Sequence, residues 1–170
     1  MKLVIIGAGG YGQTVYDVAI QSGKYDKVVF LDDNKSDYNV VGKCEEYAKF
    51  ISPDTEIYPA FGNNEARVSF LEKLEEAGAN IPVIIHATAY ISPRSRIEKG
   101  TVVLPKALVN TDTVVEKGCI INCGAIVDHG CVIETGAHIC LGAVVKAENR
   151  IPAFMKVEAG QIIENRTYKL

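Results

Sequence analysis

From residue 85 to residue 163 every sixth residue of this chain is isoleucine or valine: Ile85, Ile91, Ile97, Val103, Val109, Val115, Ile121, Val127, Ile133, Ile139, Val145, Ile151, Val157 and Ile163. Four places after the aliphatic stand small residues, Ser95, Thr101, Ala107, Thr113, Cys119, Ala125, Cys131, Ala137 and Ala143. Glycine recurs immediately before them, at Gly100, Gly118, Gly124, Gly130, Gly136 and Gly142. A unit with one large inward aliphatic, one small inward residue and a bend is the unit of a parallel β-helix. Three units make a triangular coil, and coils stack at the strand spacing of about 4.8 Å. Each coil buries its aliphatics only against its neighbours, so the period has to persist. After Val145 the small position passes to Asn149, Met155 and Gln161 while the aliphatics continue. This predicts a short prism that ends in a cap or a looser last coil.

The first half has a different grammar. "KLVII" (2–6) is a continuous apolar run, as a strand buried on both faces requires. "GAGGYG" (7–12) follows it, then a helical pattern from Gln13 to Gln21 with Val15, Val18 and Ala19 at packing spacing. "KVVFLDD" (27–33) reads as a second strand, and "EIYPAF" (56–61) as a weaker third, with Pro59, which has no N–H for a ladder, marking an edge or a strand start. "GNNEARVSFLEKLEEAG" (62–78) reads as a helix capped by asparagine and stopped by Gly78. "IPVIIH" (81–86) reads as a fourth strand. The organisation expected is α/β followed by β, with a small Rossmann-like parallel domain over 1–86 and a β-helix over 87–170.

Composition excludes several functions. A formal charge of -3 gives no electrostatic case for nucleic acid or an anionic membrane. No stretch reaches the ~18 consecutive apolar residues of a membrane span. The apolar start runs directly into glycines and reads as a buried strand, not a secretion signal. Five cysteines without an export signal predict free thiols and a cytoplasmic protein. Cys119 and Cys131 fall on the small inward position and act as apolar filler. The spacings of Cys119, Cys123, Cys131 and Cys140 match no zinc pattern, so no metal is expected.

Gly7, Gly9 and Gly12 form GxGxxG between a strand and a helix, and Asp32 and Asp33 end the next strand. Amides at such a helix start suit a phosphate, and the acids suit a ribose or base. A glycine turn that merely packs strand on helix remains the alternative. A nicotinamide oxidoreductase is disfavoured because a β-helix is no dehydrogenase substrate domain.

Five segments together, "IGAGGYGQ", "FLDDNK", "FGNNEAR", "ISPRSRIEKG" and "IINCGAIVDHGCVIE", resemble the hexapeptide-repeat sugar acetyltransferases of the PglD/NeuD type. The resemblance runs from residue 1 to about 147. It implies a left-handed β-helix, a homotrimer, and transfer of acetyl from acetyl-CoA to the amine of a UDP-linked amino sugar for bacterial surface glycans. It implies that Gly9, Gly10 and Tyr11 hold phosphates, that Asp32 and Asp33 hold the uridine, and that Gly62 completes the pocket. Asn63 and Asn64 either join that pocket or simply cap the helix.

His129 and His138 occupy neither inward position and should point outward, half a coil apart. In the family the residue matching His129 is the general base, and the one matching His138, with Gly142 nearby, contacts acetyl-CoA. Imidazole titrates near neutral pH, as the deprotonation of an attacking amine requires. Asn122 and Asp128 are the residues expected to position His129. The chain departs from the pattern at Gly130, where the family carries an acid, and in the family's further coils, which are largely missing. Two rival functions follow: a non-catalytic nucleotide-sugar-binding subunit, or O-acetylation of a sialic-acid-type sugar.

Overall fold

In a computed structural model, which describes residues 1–36 and 39–170, the chain divides into two compact units, Met1–Ile84 and Ile85–Leu170. In the first unit three parallel strands, β1 (Lys2–Ile6), β2 (Lys27–Leu31) and β3 (Thr55–Pro59), lie in the order β2-β1-β3. β1 is central, and Leu3 to Ile6 are wholly buried, as its unbroken apolar run requires. Pro59 sits at the end of the edge strand, opposite Ile6, where its missing donor costs nothing. Helix α1 (Gly10–Gln21) begins three residues before its apolar pattern does and buries Gly12, Val15, Val18 and Ala19. Helix α2 (Asn64–Glu76) buries Val68, Leu71 and Leu74 and is capped by Asn63, whose side chain accepts from the Ala66 amide at 2.8 Å.

The expected fourth strand of this sheet is absent from it. Within 81–86 only Ile84–Ile85 is a strand, and it heads a sheet of the β-helix. A short apolar run has the same composition whether a sheet face or a coil buries it, so pattern alone could not assign it.

The second unit is built from two-residue strands six residues apart, from Tyr90–Ile91 to Ile162–Ile163, arranged with Ile84–Ile85 in three parallel sheets of five, five and four strands. Each strand pairs with the one a coil away, as Ile120 does with His138 and Ile126 with Val144. The aliphatics from Val103 to Val157 are completely buried and stack with the alanines and cysteines of the small position into one core. Ile85, the first step of the period, is 39% exposed and lies outside that core. Two inward hydroxyls are accommodated because each finds a carbonyl: Thr101 Oγ1 donates to Glu116 O at 2.9 Å and Thr113 Oγ1 to Asp128 O at 2.8 Å.

The backbone explains the glycines. Every sixth residue from Gly100 to Arg166 has positive φ, at seven glycines and at Lys106, Asp112, Glu148, Phe154 and Arg166. This is the corner residue of the coil, and glycine takes it without the roughly 1–2 kcal/mol that an L side chain costs there.

The change of composition after Val145 does not end the coils. Lys156–Val157 pairs with His138–Ile139, and Ile162–Ile163 with Val144–Val145. Asn149, at a small inward position, is fully buried. Its amide donates to Lys146 O and Glu164 O, both at 2.8 Å, and its Oδ1 accepts from Tyr168 N at 2.9 Å. A polar side chain replaces alanine there because the closing turn saturates it.

Candidate functional site

In the first unit the ends of β1 and β3 and the start of α1 surround a pocket of about 460 Å³. Gly9, Gly10, Tyr11, Asp32 and Gly62, all singled out in the sequence, line it together with Phe61. The glycines of the loop do two different jobs. Gly7 has φ +99°, and a Cβ on Gly12 would stand 2.0 Å from the Gly7 carbonyl oxygen, so these two are demanded by the turn and the packing of α1. At Gly9, Gly10 and Gly62 a Cβ would meet nothing within 4 Å, and none has a left-handed backbone. Neither packing nor conformation requires glycine there. Close approach of a ligand to the backbone would. The first amides of α1 point from a helix start that no side chain caps, which leaves donors for an anion.

Tyr11 lines the pocket with its hydroxyl already bonded within the chain. Its hydroxyl shares a 2.6 Å hydrogen bond with the buried Tyr58, and burial, with Tyr58 beside it, pushes the phenol well above its ordinary range. Asp32 lines the pocket and also braces the loop. Its Oδ2 accepts from Ala8 N at 2.7 Å, and its Oδ1 accepts from Asn34 N and Lys35 N, each at 2.8 Å. Burial alone would raise this carboxyl, but the three amides and the Lys35 charge outweigh it and hold it below the usual carboxylate range. Asp32 therefore ties the glycine loop to the strand end. Asp33 lines a neighbouring recess of about 360 Å³ with Cys44, Phe61, Ala66 and Lys73. Its Oδ1 accepts from Cys44 N at 3.0 Å, and burial, then the Asp33 charge, push the Cys44 thiol up to about 11.

The second unit carries its chemistry on outer corners and strand positions. Asn122 Oδ1 accepts from Cys123 N at 2.8 Å, which orients its amide so that Nδ2 donates to His138 Nε2 at 3.0 Å. His138 thus carries its neutral-form proton on Nδ1. Gly142, on the turn after His138, is exposed, with φ +62° and open space where a Cβ would be. His129 is exposed on another corner, where it lines a pocket of about 120 Å³ with Ala147, Glu148, Asn165 and Arg166. Two expectations about His129 change within the chain. Asn122 faces His138 instead, since seven residues along an eighteen-residue coil separate it from His129 around the perimeter. Asp128 Oδ1 accepts from His129 N at 2.7 Å and from Asn110 Nδ2 at 3.0 Å, so it grips the backbone at His129. Cys119 and Cys131 are fully buried, and burial raises the Cys131 thiol. Among the described residues no group of three or more His, Cys, Asp or Glu side chains is arranged to hold a metal.

Residues 2–74 match the PglD N-terminal domain family. Over 97% of this chain and 83% of the other, the structure superposes on the acetyltransferase domain of PglB from Neisseria gonorrhoeae FA1090, with 35% identity and a TM-score of 0.93. The chain belongs to the PglD-like sugar acetyltransferases. The same PglB domain is also known in complex with acetyl coenzyme A, and that structure matches equally well. PerB from Caulobacter crescentus, in complex with CoA and GDP-perosamine, shares the fold at 24% identity, with a TM-score of 0.85 over 100% of this chain and 92% of its own.

Arg67 ends the segment "FGNNEAR" but has no role assigned to it there, and Glu148 belongs to no motif of the sequence. Arg67 is fully buried in α2 and holds the "GNN" loop, donating to Phe61 O and to Asn64 Oδ1, both at 2.9 Å. Glu148 stands a coil beyond Gly130, and counting eighteen residues on from Gly130 would have found it. No helix among the described residues is long and apolar enough to cross a membrane.

Proposed function

We propose that this protein transfers acetyl from acetyl-CoA to the amine of a nucleotide-linked amino sugar. The observation that carries the acceptor half is the pocket edged by Gly9, Gly10 and Gly62, where glycine serves neither fold nor packing. The sugar nucleotide's phosphates lie against the first amides of α1, as the open helix start favours. With the Asp32 carboxylate committed to the loop, Asp33 and the α2 start are left to contact the base. A UDP sugar is the acceptor the family resemblance favours, and the GDP-perosamine bound by PerB makes a GDP sugar the second candidate.

His129 is the base. As the amine nitrogen attacks the thioester carbonyl, the new C–N bond forms, His129 takes the amine's proton, and the C–S bond breaks to release the thiolate, which the same proton then neutralises. His138, its tautomer set by Asn122, presents to the donor end of the site, beside Gly142. The two histidines are nine residues apart on an eighteen-residue coil, which puts them half a turn apart in one chain. A site that uses both needs two subunits, and a homotrimer supplies them. Support for self-association comes from the outward ladder Tyr90, Leu108, Ile126, Val144 and Ile162, apolar on all five coils, with Tyr90 and Ile162 more than half exposed.

The test is thiol release from acetyl-CoA with a panel of UDP-, dTDP- and GDP-linked amino sugars. Release with one member and not with its hydroxyl analogue is expected. Tight sugar-nucleotide binding by calorimetry with no release from any member would leave a binding subunit and end the transferase reading.

A further inference from the structure

The corner that carries His129 is one of a column. Arg94, Asp112, Gly130, Glu148 and Arg166 follow one another at eighteen-residue intervals, and the last four share positive φ of 57°, 65°, 58° and 56°. Their Cα–Cβ bonds, or the space for one at Gly130, therefore stack in one direction. Asp112 is ion-paired to Arg94 at 2.8 Å on one side of Gly130, and Glu148 to Arg166 on the other. A Cβ on Gly130 would stand 3.5 Å from Glu148 Cγ. An acid at 130 would thus sit between two carboxylates a coil apart on either side, and like charges so placed repel. Glycine leaves the space to Glu148.

Glu148 is tied to the same corner as His129. Its amide donates to His129 O at 3.1 Å, and both side chains line the 120 Å³ pocket. Asp128 is engaged with the His129 amide and Asn110, and Asp112 gives both its oxygens to Arg94, whereas the ion pair with Arg166 is made through Glu148 Oε2. The hydrogen bond from Arg166, then its charge, hold the Glu148 carboxyl below the usual range. It is an acceptor wherever imidazole titrates. A ring that turns one N–H toward a permanent acceptor keeps its other nitrogen free to take a proton.

We propose that Glu148 is the positioning residue of His129, supplying a carboxylate to it from the next coil. The inference rests on the reading of His129 as the base. Glu148 touches no reacting atom; it acts by choosing the tautomer and direction of the ring.

Two measurements on the full chain test it. Long-range ¹H–¹⁵N correlation spectra of the histidine rings need no acceptor and report which nitrogen carries the proton. One dominant His129 tautomer is expected in the parent protein and a mixture in E148Q. Steady-state kinetics with the acceptor found in the thiol-release panel give the second. E148Q should lower kcat about 10- to 100-fold with both KM values held, E148D should recover part, and the relocated pair E148G/G130E should recover most of the loss. An unchanged tautomer and full kcat in E148Q, beside an inactive H129A, overturn the proposal and leave the base standing. A loss of kcat that relocation leaves unrepaired, with the tautomer unmoved, overturns it too, as a purely structural role. Full activity in H129A overturns the reading of the base itself.

Discussion

Asn122 Nδ2 donates to His138 Nε2 at 3.0 Å, and its orientation is not free, because Asn122 Oδ1 is held by the Cys123 amide at 2.8 Å. The pair is made by stacking: Asn122 follows the strand Ile120–Ile121, and His138 lies in register one coil on. The amide thus sets the imidazole tautomer on the proposed donor side. Asn122→Ala frees the ring and should lower kcat/KM for acetyl-CoA by about tenfold, the scale of a hydrogen bond of about 1–2 kcal/mol. KM for the sugar nucleotide should stay within twofold. Equal effects on both substrates would place Asn122 elsewhere in the reaction.

Gly12 and Gly9 separate fold from site within one motif. A Cβ at 12 would stand 2.0 Å from the Gly7 carbonyl oxygen, backbone that cannot move without moving α1. Gly12→Ala should cost at least about 1–3 kcal/mol, as overpacking does, seen as a lowered urea midpoint. Gly9→Ala should leave the midpoint unchanged and weaken sugar-nucleotide binding in calorimetry, since Gly9 lines the pocket and a Cβ there would meet no atom of the chain within 4 Å. Unaltered binding in Gly9→Ala would remove the ligand from the glycine loop.

Asp32 makes the glycine loop acid-sensitive. Its carboxyl lies below its unfolded value, so the stabilisation is fully present above the ordinary Asp range and lost as pH falls through the folded value. Asp32→Asn should be less stable than the parent at neutral pH. The two should converge in strong acid, where the parent's carboxyl is also protonated. Urea midpoints measured from neutral to acid pH check this; a constant gap at every pH would deny the linkage.

The outward ladder of Tyr90, Leu108, Ile126, Val144 and Ile162 gives the proposed trimer a test. Ile126→Glu places a carboxylate midway along an apolar stripe whose own side chain is already 39% exposed in one chain. The folded chain should tolerate it, and sedimentation velocity should show a monomer. A trimer that survives the change would move the interface to another face.

The amino-acid sequence by itself determined the β-helix. A period of six over fourteen units admits one buried row of aliphatics and one of small residues, and the stacked core follows that register from Val103 to Val157. The parallel sheet, the two helix faces and the separation of Gly7 and Gly12 from the rest of their motif's space are local consequences of apolar runs and glycine geometry. Pattern was less able to place 81–86, because aliphatics buried by a sheet and by a coil are the same residues. It placed Asn149 at the small position and allowed for a cap, but it could not show that the Tyr168 amide, nineteen residues later, saturates the buried side chain. What only the tertiary structure decided is who meets whom across a coil. Asn122 meets His138, and Glu148 fills the space above Gly130. Backbone period is a local property, whereas these contacts arise between chain segments brought together by stacking.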